Sequence, residues 1–228
     1  MRLFNQIIKR LFDVVLSGIA IIISCPLLAI IAIMIRMDSE GEVLFRQKRL
    51  TKNGKVFVMY KFRTMVVNAE QMGTGLFNYA NDSRITRVGA ILRSTSLDEL
   101  PQLFNILKGD MSIVGPRPCV IYELGDFATL NKRYKKRFEV KAGLTGLAQV
   151  KGRNNITWDR KVEYDNRYVE RFNKIGFLED IVIIFATIAR VFKRENIYET
   201  KQDETLTDVQ AAEEMEKEVI RLAHLPDE

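Results

Sequence analysis

Hydrophobic residues form three kinds of pattern along this chain of 228 residues. An uninterrupted apolar run occupies Val14 to Ile35, a short alternating segment occupies Lys55 to Met65, and stretches at helical spacing recur downstream. A period near 3.6 residues indicates a helix, whereas strict alternation indicates a strand. We therefore predict an α+β fold that is mostly helical and contains a small β element.

The apolar run carries no charged side chain, and as one helix it would be about 33 Å long, enough to cross a bilayer. Pro26 lies in its middle and removes one backbone hydrogen bond, and Ser24 and Cys25 directly before it can bond the freed carbonyl groups. Both flanks are basic, so the positive-inside rule selects no orientation. A spanning helix and a re-entrant hairpin both stay open, whereas the length and the central proline argue against a cleaved signal peptide.

The segment Lys55–Met65, KVFVMYKFRTM, alternates as a strand does and follows an Asn53-Gly54 turn. One face of this strand carries four apolar or aromatic residues, Val56, Val58, Tyr60 and Phe62. Lys61 and Arg63 lie together on the other face. This cationic pair is either a solvated outer face or part of an anion site, and the alternation alone does not separate the two.

The densest motif is the stretch Ser94–Pro118, STSLDELPQLFNILKGDMSIVGPRP. Ser96 and Glu99 have the spacing of a capping box, so helix capping is one explanation for the adjacent acids Asp98 and Glu99. Pro101 follows where a regular helix would need an amide, which indicates an irregular turn at a helix entrance. Adjacent carboxylates repel each other and raise the pKa of one of them, unless a magnesium ion or arginines compensate the charge.

Two arginines accompany the acid pair. Arg93 precedes it in the sequence, and Arg117 follows in the motif GPRP, where Pro116 and Pro118 restrict the backbone on both sides. A guanidinium held in this way suits bidentate recognition of phosphate, although a rigid surface loop is the simpler alternative. With Lys61, these groups supply what phosphoryl chemistry with Mg²⁺ needs, and a carboxylate can itself be the nucleophile.

Composition narrows the chemistry. The chain has one histidine, His224, and two distant cysteines, Cys25 and Cys119, so we expect no histidine-based nucleophile relay, no disulfide framework and no zinc site. A metal would be held by oxygen ligands, which favours Mg²⁺. The net charge is +6 although residues 197–228 are acidic, so the remainder is strongly basic and suits phosphates or an acidic membrane surface. No nucleic-acid motif is found, and we do not expect nucleic acid as a partner.

Three further segments follow the acid pair. The glycine-rich stretch at residues 141–154 lacks the spacing of a P-loop. The segment at residues 157–169 is typical of a charged helix, and the one at residues 177–196 is typical of an apolar helix that belongs to the core or to the membrane interface. The acidic tail has apolar residues at helical spacing and could pack on the basic body or on a partner.

These motifs resemble those of the bacterial sugar transferases, and in particular the small monotopic phosphoglycosyl transferases that act on polyprenyl phosphate. The resemblance covers roughly residues 1–195 and leaves the tail outside. It rests on the stretches KRLFDVVLS, FRQKRLTKNGKVFVMYKFRTM, DSRITRVGAILRSTSLDELPQLFNILKGDMSIVGPRP, GLTGLAQVKGRN and YDNRYV.

The resemblance implies a re-entrant membrane helix that is broken at a Ser-Pro step and is followed by a compact cytosolic catalytic domain. Here the step is Cys25-Pro26, with Ser24 one residue earlier. Such a protein is monotopic in the bacterial inner membrane, with its catalytic domain on the cytoplasmic face. The expected units are a membrane hairpin at residues 1–36, a catalytic domain at residues 37–196 and an acidic, helical tail at residues 197–228.

The resemblance also implies a ping-pong reaction between a UDP-sugar and polyprenyl (undecaprenyl) phosphate, with Mg²⁺ as cofactor. Asp98 would attack the β-phosphate, UMP would leave, and the lipid phosphate would then take the sugar phosphate from the enzyme. Glu99, together with Asp98, would bind Mg²⁺. The residues implied to bind phosphate are Lys61, Arg93 and Arg117, and Asp165 of YDNRYV is implied as a further active-site acid.

Two other functions stay open at this point. One is a non-catalytic adaptor that is anchored in membrane lipid, and the other is an enzyme of similar chemistry with a soluble acceptor. Nothing in the sequence identifies the sugar, the polyprenol length or the pathway, whether capsule, O-antigen, exopolysaccharide or glycoprotein. Nor does it establish whether the chain forms a homo-oligomer.

Overall fold

A computed structural model of the protein describes residues 2–75, 82–152, 156–193 and 207–227. The described residues are mostly helical, with two small two-stranded sheets, as predicted. The helices are α1 (Arg2–Asp38), α2 (Arg87–Thr95), α3 (Gln102–Lys108), α4 (Lys132–Lys136), α5 (Leu147–Lys151), α6 (Trp158–Ile175), α7 (Leu178–Lys193) and α8 (Asp208–Ala223). The strands are β1 (Leu44–Leu50), β2 (Val56–Phe62), β3 (Ser112–Val114) and β4 (Gly143–Thr145). The predicted boundary between residues 196 and 197 lies outside the described residues.

Helix α1 packs one narrow face on the rest of the protein along nearly its whole length. Its buried positions recur at the spacing of a single helix face. These positions are Lys9, Asp13, Ser17, Ile31 and Ile35, with Ala20, Ile21, Leu28 and Ala32 partly buried between them. The opposite face is apolar and open, with Ile22 at 76% and Ile23 at 74% exposure.

Buried polar contacts fix the N-terminal part of α1 to the body. Lys9 forms an ion pair with Asp180 of α7 and donates to the carbonyl of Val114 at 2.9 Å. Asp13 accepts a hydrogen bond from the amide of Ile113 at 2.9 Å. Separation of such a buried ion pair would leave uncompensated charges in the core. These contacts therefore hold α1 against β3 and α7.

The break expected at Ser24, Cys25 and Pro26 is not confirmed, because α1 continues as a helix through all three residues. The Ser24 hydroxyl donates to the carbonyl of Ala20 at 2.6 Å, within the helix. A proline deletes only one intrahelical hydrogen bond, and α1 packs on the body both before and after Pro26. This packing on both sides accounts for the continuity of the helix.

Strands β1 and β2 form an antiparallel hairpin in which Leu44 lies opposite Phe62. The connecting turn contains Asn53 and Gly54, whose φ angles of 58° and 71° lie in the left-handed region that these two residue types tolerate. The predicted strand at Lys55–Met65 and its Asn-Gly turn are therefore confirmed, with the strand shorter at both ends.

The inward face of β2 is the one that carries Lys61. Phe57 and Met59 on this face are buried, whereas Val56 and Val58 on the other are 57% and 37% exposed. The solvated-face alternative is therefore wrong for Lys61, which points toward the body together with two core residues.

Strands β3 and β4 pair in parallel, with Val114 opposite Thr145. The backbones are so close that a Cβ atom on Gly115 would lie 2.3 Å from the carbonyl oxygen of Lys141. Only glycine fits at this position. This contact holds the start of the GPRP motif against the strand that precedes α5.

Helix α8 packs back on the body, which settles where the described part of the acidic tail lies. Val219 and Ala223 are buried in the largest core cluster, and the amide of Asn131 donates to the carbonyl of Ala223 at 3.0 Å. His224 Nε2 lies 2.9 Å from the carbonyl oxygen of Leu124. The body residues of this cluster are Leu50, Cys119, Leu124, Leu130, Tyr134, Phe138, Trp158 and Val162.

Candidate active site

The two adjacent acids lie on a 3-10 turn, Leu97–Glu99, that connects α2 to α3. Ser96 ends α2 in the left-handed conformation, with φ at 58°, and its side chain makes no capping hydrogen bond to the turn. The capping-box interpretation is therefore wrong. Helix α3 begins only after Pro101, which occupies its N-cap position. The irregular turn that Pro101 predicted is confirmed, and it presents both acids.

One lysine contacts both acids of this turn. Lys61 Nζ lies 2.9 Å from Glu99 Oε1 and 4.0 Å from Asp98 Oδ2. Arg117 Nη2 approaches the same Glu99 oxygen at 3.2 Å. The structure thus brings four of the predicted site residues together, although they come from β2, the 3-10 turn and the GPRP motif.

The cluster is buried on one side and open on the other. The side chains of Lys61, Asp98 and Glu99 are 13–16% exposed, whereas the side chain of Arg117 is 46% exposed. The more exposed Arg117 is therefore the cation of the cluster that is most open to an anionic ligand from solvent.

Burial and neighbouring charges set the protonation of the cluster. Burial raises the pKa of Asp98, the Lys61 ammonium opposes this shift, and the negative charge of Glu99 adds to it. Burial lowers the pKa of Lys61, while Glu99 raises it. Repulsion within the acid pair was expected, but burial is the larger cause of the raised pKa of Asp98.

Arg93 lies near this cluster, whereas Arg63 contacts another part of the chain. Arg93 Nε donates to the hydroxyl of Thr64 at 2.8 Å, and its charge lowers the pKa of Asp98, so it lies within electrostatic reach of the acids. Arg63 donates to the carbonyl of Glu42 at 2.6 Å and is not joined to Lys61. The strand ends at Phe62, so the alternation that would align the two cations stops before Arg63.

Asp165 is buried in the core. It lies on α6 with its side chain 2% exposed, and its Oδ2 atom is 2.8 Å from Arg137 Nη2. Burial raises the pKa of Asp165 to about 6, and the Arg137 guanidinium opposes this shift. The structure therefore does not bring Asp165 to the acid pair, with which the family motif associates it.

Several polar residues that organise the site were missed by the sequence analysis. Thr64 positions Arg93, and the buried Arg84 donates to the carbonyls of Ala69, Met72 and Gly75 in the segment that leads to α2. Arg137 was missed because it lies in a very basic stretch. Its spacing from the apolar residues Tyr134 and Phe138 is the signal that could have identified it as buried.

The described residues contain no group of three or more His, Cys, Asp or Glu side chains that could hold a metal ion. The acid pair offers only carboxylate oxygens, which suit Mg²⁺. Magnesium is usually held by one or two carboxylates together with substrate phosphates and water. The donor set therefore fits a magnesium ion that binds with a diphosphate substrate.

A sequence model of the family described as bacterial sugar transferase matches residues 4–194. An undecaprenyl-phosphate galactose phosphotransferase of Salmonella typhimurium is 39% identical, over 85% of this chain and 42% of its own. A UDP-glucose:undecaprenyl-phosphate glucose-1-phosphate transferase of Klebsiella pneumoniae is also 39% identical, with the same coverage. The sugar transferase EpsL of Bacillus subtilis is 37% identical, over 86% of this chain and 92% of its own. The chain thus spans less than half of the length of the first two relatives, and the family match ends before α8.

Proposed function

Because the chain belongs to the bacterial sugar transferase family, we propose that it transfers a sugar-1-phosphate from a UDP-sugar to membrane polyprenyl phosphate and releases UMP. Two relatives are named for transfer onto undecaprenyl phosphate, which supports this acceptor and a role in the first membrane step of polysaccharide synthesis. The observation that carries the proposal is the recessed acid pair, Asp98 and Glu99, which Lys61 contacts at both acids and the more exposed Arg117 contacts at Glu99.

Asp98 is the nucleophile of the first step. A carboxylate oxygen of Asp98 forms a bond to the β-phosphorus of the UDP-sugar while the bond from that phosphorus to the bridging oxygen breaks, and UMP leaves with the electron pair. Glu99 is less suited to this role, because its Oε1 atom is already contacted by Lys61 at 2.9 Å and by Arg117 at 3.2 Å. A sugar phosphate then remains on Asp98 as an acyl phosphate.

In the second step the lipid phosphate takes the sugar phosphate from the enzyme. A phosphate oxygen of polyprenyl phosphate bonds to the same phosphorus, and Asp98 leaves as a carboxylate. The products are polyprenyl diphosphate sugar and the free enzyme. Because both steps use one acid at one site, the reaction follows ping-pong order.

The cations of the cluster bind and orient the phosphates. Arg117 offers a half-exposed guanidinium, while Lys61 and Arg93 add positive charge beside the acids. Such preorganised charge stabilises the transferring phosphoryl group. Asp98 and Glu99 would hold Mg²⁺, which supplies further neutralisation of the diphosphate when it is bound.

Exposed apolar faces of two helices support a placement of the protein at the membrane. The open face of α1 is apolar over its length, and α7 exposes Val182 at 62% and Phe185 at 68% while it buries Ile183. A helix with one buried and one exposed apolar face suits the membrane interface. The two helices thus suit a body that lies on a membrane at the depth of the lipid phosphates.

The length of the packed face of α1 argues against a helix that crosses the membrane. Its packed face runs from Lys9 to Ile35, about 39 Å, which exceeds the thickness of the hydrocarbon core. A crossing α1 would therefore carry the polar elements packed on it into the hydrocarbon, where their backbone and charges would be unsatisfied. We propose a monotopic arrangement in which the continuous helix α1 lies along the membrane surface with its open apolar face in the lipid, and with the body on the cytoplasmic face of the inner membrane.

Labelling of single cysteines tests this topology. Cys119 is buried, so after replacement of the exposed Cys25 by serine we expect little labelling of the native cysteines. In inside-out vesicles, an impermeant maleimide should then label Asn5→Cys and Glu40→Cys, each to the same extent as in detergent-solubilised protein, because both ends of α1 lie on the cytoplasmic side. Labelling of only one of the two would show that α1 crosses the membrane.

UMP release tests the proposed reaction. The protein in detergent or nanodiscs would be incubated with a panel of UDP-sugars, Mg²⁺ and undecaprenyl phosphate. We expect UMP release over many turnovers with at least one sugar nucleotide only when the lipid phosphate is present, no more than one UMP per enzyme without the lipid, and none above background with Asp98→Asn. Equal release by Asp98→Asn would overturn the assignment, and release with a soluble acceptor in place of the lipid would favour the soluble-acceptor enzyme.

A further inference from the structure

Arg137 is a buried cation whose donors point at the backbone of the GPRP loop. Its Nη2 atom donates to the carbonyl of Arg117 at 2.9 Å, and its Nη1 atom lies 2.9 Å from Cys119 Sγ. The side chain is 3% exposed, so substrate does not reach it. Arg137 therefore acts on the loop that carries Arg117 and not on the substrate phosphates.

Asp165 is the counter-ion of Arg137. The ion pair measures 2.8 Å, and both side chains are almost completely buried, at 3% and 2% exposure. The guanidinium also lies over the ring of Trp158, 5.4 Å from its centroid. Without Asp165, Arg137 would be an unpaired buried charge and would lose the partner that orients it toward the loop.

A second arginine holds the next carbonyl of the loop. Arg49 donates to the carbonyl of Pro118 at 2.8 Å, and its own partner is Glu123 at 3.8 Å. Neither Pro116 nor Pro118 has an amide hydrogen, so the loop depends on its carbonyls for anchorage. The buried Arg137 and the partly buried Arg49 thus bind two consecutive carbonyls of the loop, those of Arg117 and Pro118.

We infer that Asp165 and Arg137 are positioning residues for the transfer reaction, which act by fixing the backbone of Arg117 so that its guanidinium meets Glu99 and the substrate phosphate. This inference rests on the proposed function. Apolar residues of similar size fill a core as stably as a buried ion pair, so stability alone does not require this pair. The Arg137–Asp165 pair instead fixes the position of the Arg117 backbone. This position matters for the reaction, because a small displacement of a phosphate-binding group lowers the rate by a large factor.

A double-mutant cycle between Asp165→Asn and Arg117→Ala tests the inference. If Asp165 acts through Arg117, Asp165→Asn lowers kcat/KM by about 10- to 100-fold in the wild-type protein but by less than about threefold in the Arg117→Ala background. A purely structural role would give the same loss in both backgrounds. Equal losses would therefore overturn the inference.

Glu179→Gln is the matched control. Glu179 of α7 is also a buried carboxylate, with 4% exposure, and it pairs with Arg171 of α6 at 3.0 Å. It makes no contact with the GPRP loop among the contacts found in the described residues. We expect its effect on kcat/KM to be small and equal in both backgrounds.

A charge-neutral variant guards against misfolding of the single mutants. Arg137→Met with Asp165→Leu keeps the core filled and removes both charges together with the donor to the Arg117 carbonyl. We expect this protein to melt cooperatively and to lose about as much kcat/KM as Asp165→Asn. Full activity of a folded double variant would overturn the inference. Absence of UMP release from the wild-type protein would instead count against the proposed function.

Discussion

Lys61 donates to Glu99 at 2.9 Å, and its ammonium lies 4.0 Å from the neighbouring Asp98, so a single strand residue is within ion-pair distance of both acids of the candidate site. Replacement of Lys61 by methionine leaves two adjacent recessed carboxylates with only arginines beside them. We expect a loss of about 100-fold in the rate of UMP release, as for the removal of one preorganised charge from a transition state.

Lys55→Met is the control for this prediction. Lys55 precedes the same strand, and its side chain is exposed. We expect its rate of UMP release to stay within about twofold of the wild type, as is usual for exposed positions away from a site. Comparable losses in Lys61→Met and Lys55→Met would mean that Lys61 contributes only surface charge.

The raised pKa of Asp98 predicts how activity depends on pH. A carboxylate nucleophile must be ionised, so kcat/KM falls as the pH drops through the pKa of Asp98, which burial places above the ordinary aspartate value of about 3.9. Glu99 raises this pKa further, so the acidic limb of the profile should move to lower pH in Glu99→Gln. An acidic limb that stays in place or moves to higher pH would exclude Asp98 as the group that titrates.

The raised pKa of Asp165 predicts that the stability of the folded protein depends on pH. This dependence is separate from the pH dependence of activity. Its pKa is raised to about 6 in the folded protein, so the folded state binds the proton more tightly than the unfolded chain. The stabilisation from this group is complete below about pH 4 and is lost as the pH rises through about 6. The free energy of unfolding of the wild type, relative to Asp165→Asn, should fall over this interval by up to about 3 kcal/mol. A difference that rises with pH in urea unfolding would contradict the assigned environment.

Helix α8 lies outside the residues that match the family, and its packing on the body predicts that it contributes to the stability of the protein. Val219 is 1% exposed in the largest core cluster, so Val219→Ala should lower the free energy of unfolding by about 2 kcal/mol. Val209→Ala on the same helix is the control, because Val209 is 43% exposed, and it should change the stability by less than about 0.5 kcal/mol. Similar values for the two variants in thermal or urea unfolding would mean that α8 does not pack on the body in solution.

The parts of the molecule that follow from local sequence were predictable. The alternation at Lys55–Met65, the Asn53-Gly54 turn and the irregular turn before Pro101 each depend on a few neighbouring residues. The break at Pro26 was expected from local chemistry as well, but tertiary packing on both sides of the proline holds α1 as one helix. The contact of Arg63 with Glu42 likewise depends on where β2 ends, which the alternation did not show.

The candidate site was predictable in its acids, in Lys61 and in Arg117, because these residues lie in dense motifs. The support behind them was not, since it joins residues that are far apart in the chain. Arg137 binds the carbonyl of Arg117 and pairs with Asp165, and no short sequence pattern encodes such a three-way contact. Burial of a charged residue becomes visible only when the whole core is assembled.

The central claim, that Asp98 carries the sugar phosphate during turnover, is tested most directly by trapping. The protein would be incubated with Mg²⁺ and a UDP-sugar labelled with ³²P at the β-phosphate, without polyprenyl phosphate, and then digested and analysed by mass spectrometry. We predict label on the peptide that contains Asp98, its discharge when polyprenyl phosphate is added, and no label on Asp98→Asn. Label on Asp98→Asn equal to that on the wild type, or turnover with no labelled protein at any time, would contradict the account.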